Sequence, residues 1–163
     1  LHDAFAQAIA ENEYQNRYTA VFPIKVNQQR QVVEEVYRYG KPFGFGLEVG
    51  SKPELLSVMG MTADAPDRLI ICNGFKDDSY LEAAIIATKL GRTIIPVVEN
   101  FTELPAILRI AEKYNVRPRI GVRVKLASEG GDGIASAGRD QAPFGVPAAG
   151  PLLRPGYIHG RRE

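Results

Sequence analysis

The feature that most constrains the fold is a fivefold alternation of short apolar runs with helical patterns. The runs are brief and rich in valine and isoleucine, which is typical of buried strands. The predicted strands cover 20–24, 43–47, 68–71, 93–98 and 119–124. Because strands that alternate with helices are joined as parallel neighbours by right-handed crossovers, the pattern predicts an α/β sheet or barrel.

Helical periodicity fills the segments between the strands. The predicted helices cover 31–39, 52–59, 80–90 and 102–114. A further amphipathic helix is predicted before the first strand and ends near Asn16. Ser51 is predicted to cap the second of these four helices, and Glu54 completes a capping box with it. The predicted buried face of the last helix consists of Leu104, Ile107, Leu108 and Ala111.

Polar side chains stand at the ends of all five predicted strands. They are Lys25, Glu48, Asn73, Glu99 and Arg123, at spacings of 23, 25, 26 and 24 residues. A barrel brings such residues together on its carboxyl-end rim, where barrel active sites lie, whereas a doubly wound sheet spreads them along a line. The sequence therefore predicts a partial (β/α)8 TIM barrel of about five βα units.

The length of the chain sets a second expectation. A closed barrel takes at least ~200 residues, so these 163 residues are expected to stop some three strands short of closure. The absence of an initiator methionine before Leu1 fits a fragment. We predict a leading helix over 1–19, a partial barrel over 20–140 and an irregular tail rich in proline and glycine over 141–163.

Composition and charge narrow the function classes. The chain is 45% hydrophobic and 24% charged with a net charge of +1, as in a soluble globular domain, and no basic stripe suggests nucleic acid. The apolar runs are far shorter than the ~20 residues of a membrane span, and no signal peptide is found, so a cytoplasmic location is predicted. His2 and His159 have no cysteine or carboxylate at metal-ligand spacing, so no metal site is predicted. The cluster Gly130–Gly133 does not form a dinucleotide-binding fingerprint. Cys72 is expected to be a small, buried hydrophobic residue.

Lys25 is the strongest candidate for chemistry because it ends an apolar strand. Desolvation there favours the neutral amine, which can attack an aldehyde to form a Schiff base; the alternative is a lysine that snorkels to solvent. Glu48 could order that amine and assist proton transfer. Arg123 could form a structural ion pair with Glu99 or hold an anionic oxygen of a cofactor, and Asn73 could simply satisfy a turn.

Four segments resemble the biosynthetic arginine decarboxylases, which belong to the alanine-racemase-like class of pyridoxal-phosphate enzymes. They are VFPIKVNQQ at 21–29, GLEVGSKPEL at 46–55, ICNGFKD at 71–77 and IGVRVKLAS at 120–128, so the resemblance covers roughly residues 1–130. The resemblance implies that Lys25 forms the Schiff base with pyridoxal phosphate, and that Glu48 and Arg123 belong to the cofactor pocket. It also implies that L-arginine is converted to agmatine and carbon dioxide for polyamine biosynthesis, with magnesium and a homo-oligomeric full-length protein.

The resemblance weakens toward the tail. Pro143 stands where the family has the lysine of a Lys-Phe-Gly motif, and the family's cofactor histidine, phosphate loop, pyridine-facing acid and β-rich second domain are not recognised. The chain alone is therefore expected to be inactive. The alternatives are a related decarboxylase or racemase of the same barrel class, and a non-catalytic pyridoxal-phosphate binder or inactive remnant.

Overall fold

The fold is built on five parallel strands that follow one another in sequence order. The computed structural model describes residues 1–125 and 146–147. The strands are β1 (Val21–Pro23), β2 (Gly46–Val49), β3 (Ile70–Cys72), β4 (Ile94–Val98) and β5 (Gly121–Val122), arranged as β1-β2-β3-β4-β5. All four neighbouring pairs are parallel. This order lacks the reversal that defines a doubly wound sheet, so the prediction of an unclosed, partial α/β barrel is confirmed.

Five helices accompany the strands. They are α1 (His2–Glu11), α2 (Arg30–Gly40), α3 (Lys52–Met61), α4 (Asp78–Lys89) and α5 (Glu103–Tyr114). Ser51 caps α3 as predicted, since its hydroxyl accepts from the Glu54 N–H at 3.4 Å. The Glu54 carboxylate reaches one residue further back than in a standard capping box and accepts from the Gly50 N–H at 2.7 Å. Across the described part of the chain, no helix has the length and apolarity to cross a bilayer.

Several predicted boundaries were wrong for local reasons. The second strand begins at Gly46, because a 3-10 turn at Lys41–Phe43 is followed by Gly44 in the left-handed region at a φ of 69°. The first helix ends at Glu11 rather than near Asn16, and none of its residues is buried. The fifth run is interrupted at Arg123, beyond which β6 (Val124–Lys125) pairs in parallel with β7 (Val146–Pro147).

The glycine cluster Gly130–Gly133 and His159 lie outside the described residues. So does the predicted tail over 141–163, apart from the two residues of β7. The proposed boundaries at 19/20 and 140/141 stay predictions.

The core consists of two apolar clusters, one on each side of α4. The larger cluster lies under β1 to β3, and its buried members include Ile24, Val33, Leu47, Val49, Leu55, Val58, Ile70 and Cys72. The smaller cluster joins α4, β4 and α5 through Leu81, Ile85, Val98, Ile107, Ile110 and Ala111. Cys72 is buried as predicted, and desolvation raises the pKa of its thiol to about 12. That thiol is therefore a packing group and not a nucleophile.

The buried face of α5 differs from the prediction by part of a turn. Ile107 is buried as expected, but Leu108 is 58% exposed, and Ile110 takes a buried position in its place. We expect Ile107→Ala to lower the free energy of unfolding by about 2–5 kcal/mol, because it opens a cavity in the smaller cluster. Leu108→Ala is the matched control and should change it by less than about 0.5 kcal/mol. Urea unfolding followed by circular dichroism measures both, and equal losses would contradict this assignment of faces.

Candidate active site

The five polar residues predicted at or just past the strand ends lie on one rim of the sheet. Lys25 is in a 3-10 turn, Ile24–Val26, directly after β1, and Glu48 is the third residue of β2. Asn73, Glu99 and Arg123 directly follow β3, β4 and β5. Because all five strands are parallel and adjacent, their carboxyl ends share this edge.

Lys25, Glu48 and Asn73 line a shallow cavity of about 350 Å³ at this rim. Its remaining lining residues are Val21, Pro23 and Ile71. Lys25 is exposed, so the predicted desolvation of its amine is wrong for the described residues. The reason is local: Ile24 takes the buried position of the turn, and Lys25 follows it outward.

Glu48 has a buried carboxylate, and one of its two oxygens accepts a hydrogen bond from a neighbouring turn. Its Oε1 accepts a hydrogen bond from Asn73 Nδ2 at 3.0 Å. No hydrogen bond to its Oε2 is found among residues 1–124. Asn73 therefore does more than satisfy a turn, because it orients a carboxylate that lines the cavity.

Glu99 and Arg123 form the ion pair that the sequence offered as one alternative. Arg123 Nη1 lies 3.4 Å from Glu99 Oε2, and the two side chains are 52% and 1% exposed. The other Glu99 oxygen, Oε1, accepts from the Gly74 N–H at 2.8 Å. Arg123 does not line the cavity that holds Lys25, so the described residues do not bring these two predicted site residues into one cavity.

A second ion pair, Lys76 with Glu103, was not recognised from the sequence. Lys76 Nζ lies 3.3 Å from Glu103 Oε2, and the two side chains are 0% and 2% exposed. Glu103 also accepts from the main-chain N–H groups of Lys76 at 3.0 Å and of Glu99 at 2.8 Å. The available signal was a lysine inside the motif at 71–77 and an acid in the first turn of the last predicted helix. Neither reveals burial by itself.

Gly74 lets the turns after β2 and β3 touch through their main chains. Its φ is 76°, and a Cβ placed on it would lie 2.5 Å from the Gly50 carbonyl oxygen. The preceding Asn73 N–H donates to the Val49 carbonyl at 2.8 Å. The position of Asn73 opposite Glu48 therefore depends on a turn that only glycine fits without displacement.

We expect Gly74→Ala to destabilise the chain more than Gly44→Ala. Gly44 has a similar φ of 69° but no atom within 4 Å of an added Cβ, so alanine there costs only the left-handed strain of about 1–2 kcal/mol. At Gly74 the overlap with the Gly50 carbonyl adds about 1–3 kcal/mol of overpacking. The measurement is the difference between the two free energies of unfolding in urea. Equal free energies of unfolding for the two variants would show that the turns after β2 and β3 can move apart without an energetic cost.

A larger groove of about 610 Å³ lies between α2 and α3 and includes none of the five rim residues. Of its charged residues, Arg30 and Glu34 form an ion pair at 2.7 Å, and the Glu54 carboxylate accepts from Gln28 and from the Gly50 N–H. Size alone therefore does not identify the active site, and the rim cavity remains the candidate because it brings an amine and a carboxylate together.

Comparison with known proteins identifies the family of the chain. Residues 2–153 match the family described as "Pyridoxal-dependent decarboxylase, pyridoxal binding domain". The chain belongs to this family. It is 48% identical over 148 residues to a biosynthetic arginine decarboxylase of Gloeobacter violaceus, covering 91% of this chain and 23% of the relative. It is also 48% identical over 146 residues to one of Phocaeicola vulgatus, covering 90% and 23%.

Among solved structures, the chain is similar to a biosynthetic arginine decarboxylase from Campylobacter jejuni. The TM-score is 0.68 at 34% sequence identity, over 77% of this chain and 21% of that one. The chain thus spans less than a quarter of the length of these relatives. The resemblance found in the sequence motifs is confirmed at the level of the family and the fold.

Proposed function

We propose that this chain binds pyridoxal phosphate through Lys25 and forms the cofactor-binding part of an arginine decarboxylase, which converts L-arginine to agmatine and carbon dioxide. The observation that carries the proposal is the cavity shared by Lys25 and Glu48, in a chain of the pyridoxal-dependent decarboxylase family. The choice of arginine is supported by the names of the similar relatives.

The residues of the rim fit such a cofactor. Lys25 offers an accessible amine to an aldehyde, whereas Lys76, a second lysine near this rim, is fully buried and hydrogen-bonded. Glu48 turns a carboxylate toward the same cavity. Pyridoxal phosphate, when bound, supplies the aldehyde for attachment and a ring that accepts electrons as a carboxylate leaves its substrate.

The chain's own groups then have distinct tasks. Lys25 anchors the cofactor, and Glu48 holds or moves a proton at its Oε2. Asn73 keeps that carboxylate oriented through its bond to Oε1. Arg123, held by Glu99, supplies a fixed positive charge for an anionic oxygen.

Other parts of the proposal rest on the family resemblance alone. They are a role in polyamine biosynthesis, a cytoplasmic location and a homo-oligomeric full-length protein. Magnesium likewise rests on the resemblance alone, and residues 1–125 gather no group of three His, Cys, Asp or Glu side chains that could hold a metal ion.

A chimera tests the substrate. This chain would replace the matching segment of the Gloeobacter violaceus relative, and release of labelled carbon dioxide from arginine, ornithine and lysine would be measured. We expect release from arginine, with the unmodified relative as the positive control, and none from the same chimera carrying Lys25→Ala. A chimera that binds pyridoxal phosphate but releases carbon dioxide only from another amino acid would overturn the choice of substrate.

The chain by itself is proposed to bind the cofactor without catalysing decarboxylation. The observation that favours this is the shallow cavity and exposed Lys25 amine, because catalysis depends on a cofactor that is fixed and shielded from water. We expect purified chain with pyridoxal phosphate to release no more carbon dioxide from arginine than its Lys25→Ala variant does. Clear turnover above that variant would show that this chain suffices for catalysis.

A further inference from the structure

We propose that the buried Lys76–Glu103 ion pair positions the two carboxylates of the rim, Glu48 and Glu99. Neither partner lines the rim cavity, so both act through other residues. The inference rests on the proposed function, since the orientation of these carboxylates matters most when a cofactor lies on the rim.

The pair is the centre of a closed ring of hydrogen bonds. The Glu103 carboxylate accepts from the Lys76 N–H, and the Lys76 ammonium donates to the Gly74 carbonyl. The Gly74 N–H donates to the Glu99 carboxylate at 2.8 Å. The Glu99 N–H returns to Glu103 at 2.8 Å and closes the ring. Three of these four contacts join the turns after β3 and β4 to each other and to the first turn of α5, and the fourth lies within the turn after β3.

Two hydrogen bonds connect the ring to residues of the predicted site. Asn73, which precedes Gly74 in the chain, donates to Glu48 at 3.0 Å. Glu99, a member of the ring, accepts from Arg123 at 3.4 Å. A shift of the turn at Gly74 would therefore move both contacts together.

Stability alone does not account for an ion pair at this place. Desolvation of two buried charges commonly offsets their attraction, and well-packed apolar residues can stabilise such a position as well or better. What a charged pair with several hydrogen bonds adds is a defined geometry, because each donor and acceptor accepts few orientations. Because the pair contacts the turns of the rim, this defined geometry can fix the positions of the rim carboxylates.

The test uses the full chain and two variants. Glu103→Gln keeps the shape but presents an amide, which cannot accept at both former oxygen positions and so leaves the Lys76 or Glu99 contact unmade. The double variant Lys76→Met with Glu103→Leu removes both charges, so its folding does not leave one charge unpaired. Lys113→Met is the control, because Lys113 and Glu82 form an exposed pair at 2.7 Å that also involves α5 but joins it to α4, away from the rim turns.

Two measurements separate positioning from a merely structural role. The first is the NMR signal of the Asn73 side-chain amide together with hydrogen exchange of the Gly74 N–H, both measured without cofactor. The second is the rate at which pyridoxal phosphate with borohydride labels Lys25. In folded Glu103→Gln and in the double variant we expect shifted Asn73 signals, faster Gly74 exchange and a labelling rate about tenfold lower, because small misplacements of reacting groups are costly.

The outcomes are distinguishable. Variants that fold and keep the Asn73 signals, the Gly74 exchange and the labelling rate of the unchanged chain overturn the positioning role. Equal changes in Lys113→Met also overturn it, since they would reflect the junction of α4 and α5 in general. Failure of the unchanged chain to be labelled at Lys25 would overturn the proposed function instead, and the cofactor-free NMR measurement would then decide the positioning role.

Discussion

Lys25→Ala is expected to abolish specific covalent capture of pyridoxal phosphate by this chain. At limiting cofactor, borohydride reduction followed by peptide mapping should give one labelled lysine in the unchanged chain and none in the variant. The physical reason is that Lys25 combines an accessible amine with a cavity that also contains Glu48. Lys76 cannot substitute for it, because its ammonium is fully buried and bound to Gly74 and Glu103.

Lys52 provides the matched control for this experiment. It begins α3, directly after the turn that follows β2, and is half-buried, but it does not line the cavity. Lys52→Ala should leave the labelling of Lys25 unchanged. Label spread evenly over the surface lysines would count against a specific site, and so would a single labelled lysine that persists in Lys25→Ala.

The order of the strands and the residues of the rim could be predicted because they depend on topology. Short apolar runs alternating with helices leave parallel neighbours as the simplest arrangement, and their carboxyl ends then share one edge. Lys25, Glu48 and Arg123 could therefore be placed on one rim before any distance was known. The contact between Glu99 and Arg123 was foreseen as an alternative, because both residues were placed at the ends of neighbouring strands on the same rim.

What the sequence could not supply was the exposure of individual side chains. Leu108 and Ile110 are equally apolar, and which of them faces α4 depends on the rotation of α5 against its neighbours. Lys25 was expected to be desolvated, but its exposure depends on a single 3-10 turn in which Ile24 takes the buried position. Such features are decided by packing over distances that periodicity does not describe.

The buried ion pair was missed for a related reason. Lys76 and Glu103 are 27 residues apart, and lysine and glutamate in a turn and at a helix start are ordinarily solvated. Burial of both is possible only because each meets the other and several main-chain groups. That coincidence is a property of the assembled rim and leaves no periodic trace in either segment.

Lys76→Met is expected to destabilise the chain strongly. The substitution leaves the Glu103 carboxylate buried without its counter-charge and removes the donor to the Gly74 carbonyl. Removing one partner of a buried ion pair typically costs about 3–5 kcal/mol. Urea unfolding followed by circular dichroism measures the change, and the variant should unfold at a markedly lower urea concentration than the unchanged chain.

The double variant Lys76→Met with Glu103→Leu decides whether the unpaired charge is the cause. It should recover most of the lost stability, because no charge remains buried, although the Glu99 N–H still lacks its acceptor. Lys113→Met removes a lysine that is 61% exposed from an ion pair between α4 and α5, and we expect no measurable change there because solvent screens that pair. A double variant as unstable as Lys76→Met would show that the lost hydrogen bonds, and not the buried charge, dominate the cost. In that case the pair would stabilise the fold chiefly through its contacts with the Gly74 turn.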